Sequence, residues 1–130
     1  TLVHFPHARA LYVGGPFARK NLSNTSFTPS LDGWIAALRK IAAMDVDIFL
    51  PGHGDVSTRQ DVADEADVLS VIQDDVKKAI AAGKTREEIR TMEFPQYAGL
   101  RNYNRRANFL EALHHLYTTG KPQFPYGAGQ

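Results

Sequence analysis

The chain has 130 residues, which is enough for one domain with a modest core and too few for two. Its 15 basic and 14 acidic residues give a net charge of +1, so we expect no general electrostatic attraction to nucleic acid or to a membrane surface. Cysteine is absent, which excludes disulfides and thiolate metal sites, and no apolar run approaches the roughly 20 residues of a membrane-spanning helix.

A β-hairpin is predicted at the start of the chain. Residues 2–5 and 10–13 are short β-prone runs separated by a turn, and the Gly-Gly-Pro sequence at 14–16 is expected to end the second strand. Residues 17–29 are rich in Asn, Ser and Thr, so they predict a polar loop.

Helical periodicity accounts for much of the remaining chain. Ser30 is a suitable N-cap for an amphipathic helix that we predict to run to residue 44. Residues 57–60, Ser-Thr-Arg-Gln, fit a capping box and predict a long helix that extends to residue 82. A second capping box begins at Thr85 and predicts a short helix that ends near residue 92.

The last predicted helix follows a loop at residues 94–101, where Pro95 and Gly99 argue against regular structure. We expect Asn102 or Asn104 to cap this helix and Gly120 to end it.

A small basic cluster lies near the start of this last helix. Its members are Arg101, Arg105 and Arg106. Such a cluster either binds an acidic group or makes ion pairs at the surface.

Between the first two predicted helices lies a short apolar run that is typical of a buried strand. Its apolar members are Val46, Ile48, Phe49 and Leu50. We expect Pro51 and Gly52 to end the strand, because proline lacks a ladder donor and glycine adopts backbone angles that other residues avoid. His53 follows directly, between Gly52 and Gly54.

His53 is the leading candidate for a functional side chain in the sequence. Loops at the carboxyl ends of buried strands carry functional side chains in layered α/β folds. From the residues alone, His53 is either a metal ligand or a loop histidine that hydrogen-bonds the strand end and binds nothing. Asp55 is either the hydrogen-bond partner of its second ring nitrogen or a cap of the next helix.

Residues 47–55, Asp-Ile-Phe-Leu-Pro-Gly-His-Gly-Asp, resemble the Pro-Gly-His-Gly loop of the metallo-β-lactamase-fold hydrolases. The resemblance extends from residue 1 to about residue 116 and corresponds to the C-terminal half of such a protein. It implies an α/β fold that is half of an αββα sandwich, in which a hairpin and one further strand are covered by three to four helices. Residues 1–122 would form this half-domain, and residues 123–130 would be a flexible tail.

The resemblance also implies a chemistry. His53 would be a zinc ligand in a complete protein that binds two ions, Asp55 would support it, and Gly52 and Gly54 would shape the loop. Metal-activated water would attack an ester-, amide- or lactam-type bond of a small molecule.

Two departures from the family pattern affect this hypothesis. The His-x-His-x-Asp-His motif of the family is absent from these residues, and Gly15 occupies the position of its bridging aspartate. Because glycine has no side chain to coordinate a metal, the number of zinc ions is left open between two, one and none. The other histidines, His4 and His7 in the hairpin and His114 and His115 on the last helix, are not expected to share a metal.

A second hypothesis comes from the arrangement of the predicted elements. Helices on one face of the sheet leave an apolar face uncovered, and such a face is an interaction surface. The chain also begins in the middle of a strand without an initiator methionine, which indicates a piece of a longer protein. It is therefore either the C-terminal portion of a hydrolase or a non-catalytic half-domain.

The two hypotheses imply different partners. The hydrolase would act on a small-molecule substrate, and the half-domain would self-associate as a homo-oligomer or pair with a separate N-terminal half. Neither hypothesis involves nucleic acid or a membrane. The sequence does not indicate a cellular compartment.

Overall fold

The computed structural model describes residues 2–124, which form a three-stranded sheet and four α-helices. The strands are β1 (Val3–Phe5), β2 (Ala10–Ala18) and β3 (Ile48–His53). The helices are α1 (Leu31–Ala42), α2 (Arg59–Ala81), α3 (Arg86–Arg90) and α4 (Arg106–Thr119). The flexible tail predicted at residues 123–130 lies outside the described part of the chain except for Gln123 and Phe124.

The chain divides into two compact units. The first contains the residues up to Asn21 together with Asp32–Leu69, and the second contains Leu22–Leu31 together with the chain from Ser70 onward. Helix α2 contributes residues to both units, because the boundary falls between Leu69 and Ser70.

The first unit contains the sheet, in the order β1-β2-β3. Strand β1 pairs with β2 antiparallel, whereas β2 and β3 are parallel and are connected through α1. Leu11 of β2 lies opposite Phe49 of β3, and both side chains are fully buried. The indole nitrogen of Trp34 in α1 donates to the carbonyl oxygen of Pro16 in β2 at 2.8 Å. These contacts hold helix and sheet together around one apolar core.

The predicted end of the second strand is wrong, because β2 continues through the Gly-Gly-Pro sequence to Ala18. Gly14 has a positive φ of 71°, and the register with β3 shifts on both sides of it. The pairing of β2 with β3 is therefore irregular around Gly14, and the strand continues beyond it to Ala18. As a result, Phe17 is not a loop residue but a fully buried strand residue.

The predicted end of the third strand is also wrong, since β3 passes through Pro51 and Gly52 and ends at His53. Phe49 exchanges two backbone hydrogen bonds with Ser57, at 3.0 and 2.8 Å, on the side of β3 opposite to β2. Pro51 is two residues further along and faces the same way, so its missing N–H removes no bond to β2.

The helices agree more closely with the predictions. Helix α1 begins directly after Ser30, and α2 ends at Ala81. The capping box at Thr85 is confirmed, with Glu88 as its second member. The capping box of α2 lies one residue later than predicted: Thr58 bonds Asp61, while the hydroxyl group of Ser57 donates to the Asp55 carbonyl oxygen.

The second unit contains α3, α4 and two short 3₁₀ turns. The loop predicted at 94–101 contains the first turn, Pro95–Tyr97, and Asn102 precedes the second, Tyr103–Arg105, in a left-handed conformation. Neither Asn102 nor Asn104 caps α4, which starts at Arg106 and ends before Gly120 as predicted. The buried residues of α4 are Phe109, Leu110, Ala112, Leu113 and Leu116.

Candidate functional site

His53 is the last residue of β3, at the edge of the sheet where β2 and β3, which are parallel, both end. Its register partner is Ala18, and the backbone N–H of Arg19 donates to the His53 carbonyl oxygen at 3.3 Å. The side chain of His53 is exposed. The backbone on both strands therefore positions an imidazole that solvent and solutes can reach.

The backbone next to His53 is fixed by a close contact between two glycines. A Cβ atom added to Gly52 would lie 2.7 Å from the carbonyl oxygen of Gly14, a distance that real Cβ atoms do not show. Only glycine fits there without a backbone shift. Gly54, with φ of 99°, turns the chain away immediately after His53. The two glycines of the predicted motif thus have separate structural roles.

Gly15 lies in open space, since a Cβ atom added there would have no neighbour within 4 Å. Its position on β2 directly follows Gly14, the register partner of Pro51. A side chain at position 15 would meet no steric obstacle, although the glycine itself provides no ligand atom.

A network of charges surrounds the ends of these strands. Arg19 directly follows β2, and its guanidinium group lies 3.9 Å from the Asp55 carboxylate and 3.4 Å from that of Asp61. Glu65, which is only 6% exposed, accepts a hydrogen bond of 3.2 Å from the backbone N–H of Ala18. The carboxylate of Asp55 thus lies close to Arg19. The predicted hydrogen bond between Asp55 and the second ring nitrogen of His53 stays a prediction.

Asp61 has an altered acidity for identifiable reasons. Burial alone would raise the pKa of its carboxyl group, but two hydrogen bonds from Thr58 and the nearby cations Arg19 and Lys20 outweigh burial. The backbone N–H and the hydroxyl group of Thr58 donate at 2.9 and 3.1 Å. The pKa of Asp61 therefore lies below its usual value of 3.8.

The sequence predicted His53 but did not indicate that Arg19, Asp61 and Glu65 form contacts at the end of β2. Asp61 and Glu65 are four residues apart on α2, a spacing that places them on one face of a helix. The signal that Glu65 differs from the other acidic residues of α2 is its burial, and only the folded chain reveals burial.

A zinc site needs about four protein or water ligands. Within residues 2–124, no group of three or more His, Asp or Glu side chains is placed to hold a metal ion. His4 and His7 are exposed in the hairpin, and His114 and His115 are half-buried on α4.

One face of the sheet is a second candidate surface. Register places Phe5, Ala10 and Ile48 in one row and Val3, Tyr12 and Leu50 in the next, all on the face opposite to Leu11 and Phe49. Four of these six side chains, Val3, Phe5, Tyr12 and Ile48, are 37–46% exposed. We call these four residues the open sheet face.

Comparison of the sequence with models of known protein families and with curated proteins gave no match. Among the described residues, no helix has both the length and the apolar character needed to cross a bilayer.

Proposed function

We propose that the chain is the C-terminal portion of a metal-dependent hydrolase of the metallo-β-lactamase superfamily. It would attack an ester-, amide- or lactam-type bond of a small molecule with metal-activated water. The observation that supports this proposal best is the placement of His53: an exposed imidazole at the common end of two parallel strands, next to a backbone contact that only glycine permits. The remaining zinc ligands would come from residues outside this chain.

The glycine at position 15 provides a direct test of this proposal. If Gly15 occupies the position of a bridging ligand, then the Gly15→Asp substitution should place a carboxylate within reach of an ion bound by His53. The open space around Gly15 means that the new side chain causes no clash. We expect Gly15→Asp to raise the affinity for Co²⁺ at least about tenfold, or about 1.4 kcal/mol. Isothermal titration calorimetry and the visible absorption of the bound ion measure this change.

Two further variants decide whether the effect depends on the proposed site. His53→Ala in the Gly15→Asp background should remove the gain in affinity, whereas His7→Ala, which changes an exposed histidine of the hairpin turn, should leave it intact. A Gly15→Asp protein that binds Co²⁺ no better than the unmodified chain would contradict the proposed alignment. Retention of the gain after His53→Ala would contradict the role of His53.

The open sheet face supports a second candidate function, that of a non-catalytic half-domain that self-associates. Four large apolar side chains exposed together on one sheet face are typical of an interaction surface. We expect the chain to sediment as a dimer at micromolar concentration and Phe5→Lys to shift it toward monomer. Val56→Lys is the matched control, because Val56 is 60% exposed and lies outside the open sheet face. A monomeric unmodified chain would contradict self-association.

A further inference from the structure

The second unit contains a pocket. It has a volume of about 360 Å³ and lies between the loop before α1 and the first half of α4. The lining residues that matter here are Asn24, Ser26, Arg105, Asn108, Phe109 and Phe124. We call it the α4 pocket. Its volume is at the lower end of the roughly 300–1,000 Å³ that is usual for small-molecule sites.

The walls of the α4 pocket are held in place by hydrogen bonds. The Thr25 hydroxyl group donates to the Phe109 carbonyl oxygen at 2.9 Å, and the backbone N–H of Phe124 donates to the Ser26 carbonyl oxygen at 3.1 Å. The rings of Phe27 and Phe124 lie 5.8 Å apart. The loop, the helix and the segment after α4 are thus joined to one another, so the pocket is formed before any ligand arrives.

The charge of the α4 pocket is set by Arg105. The carboxylate of Glu111, which also lines the pocket, is occupied by two cations: Arg86, at 3.1 Å, and Arg90. No carboxylate in residues 2–124 makes an ion pair with Arg105, and its guanidinium group has no hydrogen bond to another described residue. The exposed side chain of Arg105 therefore lines the pocket as a cation without an ion-pair partner among the described residues.

The start of α4 adds to this imbalance. A helix N-terminus favours negative charge, but the first turn of α4 has no acidic residue, and its N-cap residue, Arg105, makes no side-chain capping bond. The adjacent Arg106 is paired with Glu93 at 3.2 Å and lies over the ring of Tyr103, so Arg106 is already satisfied. An anion bound in the α4 pocket would compensate both Arg105 and the helix end.

Ser26 contributes a hydroxyl group to the pocket wall, where it can donate to or accept from a ligand. Its backbone N–H donates to the side-chain oxygen of Asn24 at 2.9 Å, and this hydrogen bond fixes the loop beside the pocket. The amide groups of Asn24 and Asn108 line the same pocket and offer further donors.

We propose that the α4 pocket binds a small organic monoanion, a carboxylate with an aromatic or short aliphatic body. Arg105 would pair with the carboxylate, Ser26 and Asn108 would hydrogen-bond it, and Phe109 and Phe124 would contact the apolar body. A monoanion fits better than a dianion such as a phosphate monoester, because the pocket offers one uncompensated guanidinium group and also contains the Glu111 carboxylate. The proposal is independent of metal binding at His53.

The test uses the full chain and 4-fluorobenzoate as the probe, followed by fluorine NMR and by ¹H–¹⁵N chemical shifts. We expect saturable binding with a Kd of about 1 mM or lower, which is realistic for a ligand of this size, and shift changes at Ser26 and Asn108. Arg105→Gln should weaken binding at least tenfold and Ser26→Ala about threefold. Lys84→Gln, which removes an exposed cation of the same unit outside the pocket, should have no effect.

Two other probes test the chemical class of the ligand. The neutral 4-fluorobenzyl alcohol should bind at least tenfold more weakly than the acid, and 4-fluorophenyl phosphate should also bind more weakly. Full affinity in Arg105→Gln, or equal affinity for the alcohol, would overturn the proposal. So would absence of saturation at 5 mM 4-fluorobenzoate, and tighter binding of the phosphate would overturn the preference for a monoanion. Circular dichroism of each variant ensures that a loss of binding is not a loss of fold.

Discussion

The contact between Gly14 and Gly52 makes a quantitative prediction about stability. In Gly52→Ala, the new Cβ atom would lie 2.7 Å from the Gly14 carbonyl oxygen and 2.8 Å from its carbonyl carbon. Both atoms belong to the backbone of the central strand, so the strands must separate by several tenths of an ångström. Overpacking of this kind costs about 1–3 kcal/mol, and the reduced entropy of the unfolded alanine chain returns about 0.4–1 kcal/mol.

The expected net loss for Gly52→Ala is therefore about 1.5 kcal/mol, which corresponds to a fall in Tm of about 6 °C for a chain of this size. Gly15→Ala is the matched control, because its Cβ atom would meet nothing within 4 Å. We expect Gly15→Ala to be neutral or to stabilise the fold by up to about 0.5 kcal/mol. Urea denaturation and thermal unfolding, followed by circular dichroism, measure both changes. Equal stability of the two variants would refute the reasoning, since they differ only in the space around the added methyl group.

Three other predictions concern the stability of the chain. Thr85→Ala removes the N-cap of α3 and should cost about 1 kcal/mol in urea denaturation; no change would show that the capping box contributes nothing. Leu113→Ala opens a cavity at a fully buried position of α4 and should cost about 2–5 kcal/mol, so a loss below about 1 kcal/mol would contradict the close packing around Leu113. Because the pKa of Asp61 is lowered on folding, its contribution to stability is complete above about pH 4 and is lost as the pH falls through the lower, folded value. The Tm of the unmodified chain should thus fall more steeply between pH 5 and pH 2.5 than that of Asp61→Asn, and parallel curves would contradict this assignment.

The helices were the part of the fold that could be predicted well, because periodicity and caps act over a few residues. The capping box at Thr85 needs only the contact between positions 85 and 88. The same rule failed by one residue at the start of α2. There Ser57 is engaged in the pairing with Phe49, so Thr58 becomes the cap.

The strand ends could not be predicted, because they depend on which edge of each strand is paired. Pro51 usually ends a strand, yet here its missing N–H faces away from β2. The irregularity at Gly14 is likewise set by contact with β3, a strand more than 30 residues away in sequence.

The candidate sites show the same limit. The sequence predicted His53 directly after a strand, since glycines and an apolar run are local signals, and the structure makes it the last residue of that strand. The basic cluster near α4 was also visible, but only the structure separates Arg106, which is paired with Glu93, from Arg105, which is not paired with any described carboxylate. Ser26 and Arg105 line one pocket although they are 79 residues apart, and no local pattern links them.

The parallel pairing of β2 with β3 has a consequence for synthesis of the chain. The residues that pair in the β1–β2 hairpin are at most nine positions apart, whereas Ala10 must wait for Ile48, 38 positions later. At about 5–20 residues per second, a ribosome takes about 2–8 s to produce that interval. During this time the nascent hairpin has an unpaired central strand as well as exposed aromatic rings. A chaperone that binds extended apolar segments would therefore meet this hairpin before the helices that follow it are complete.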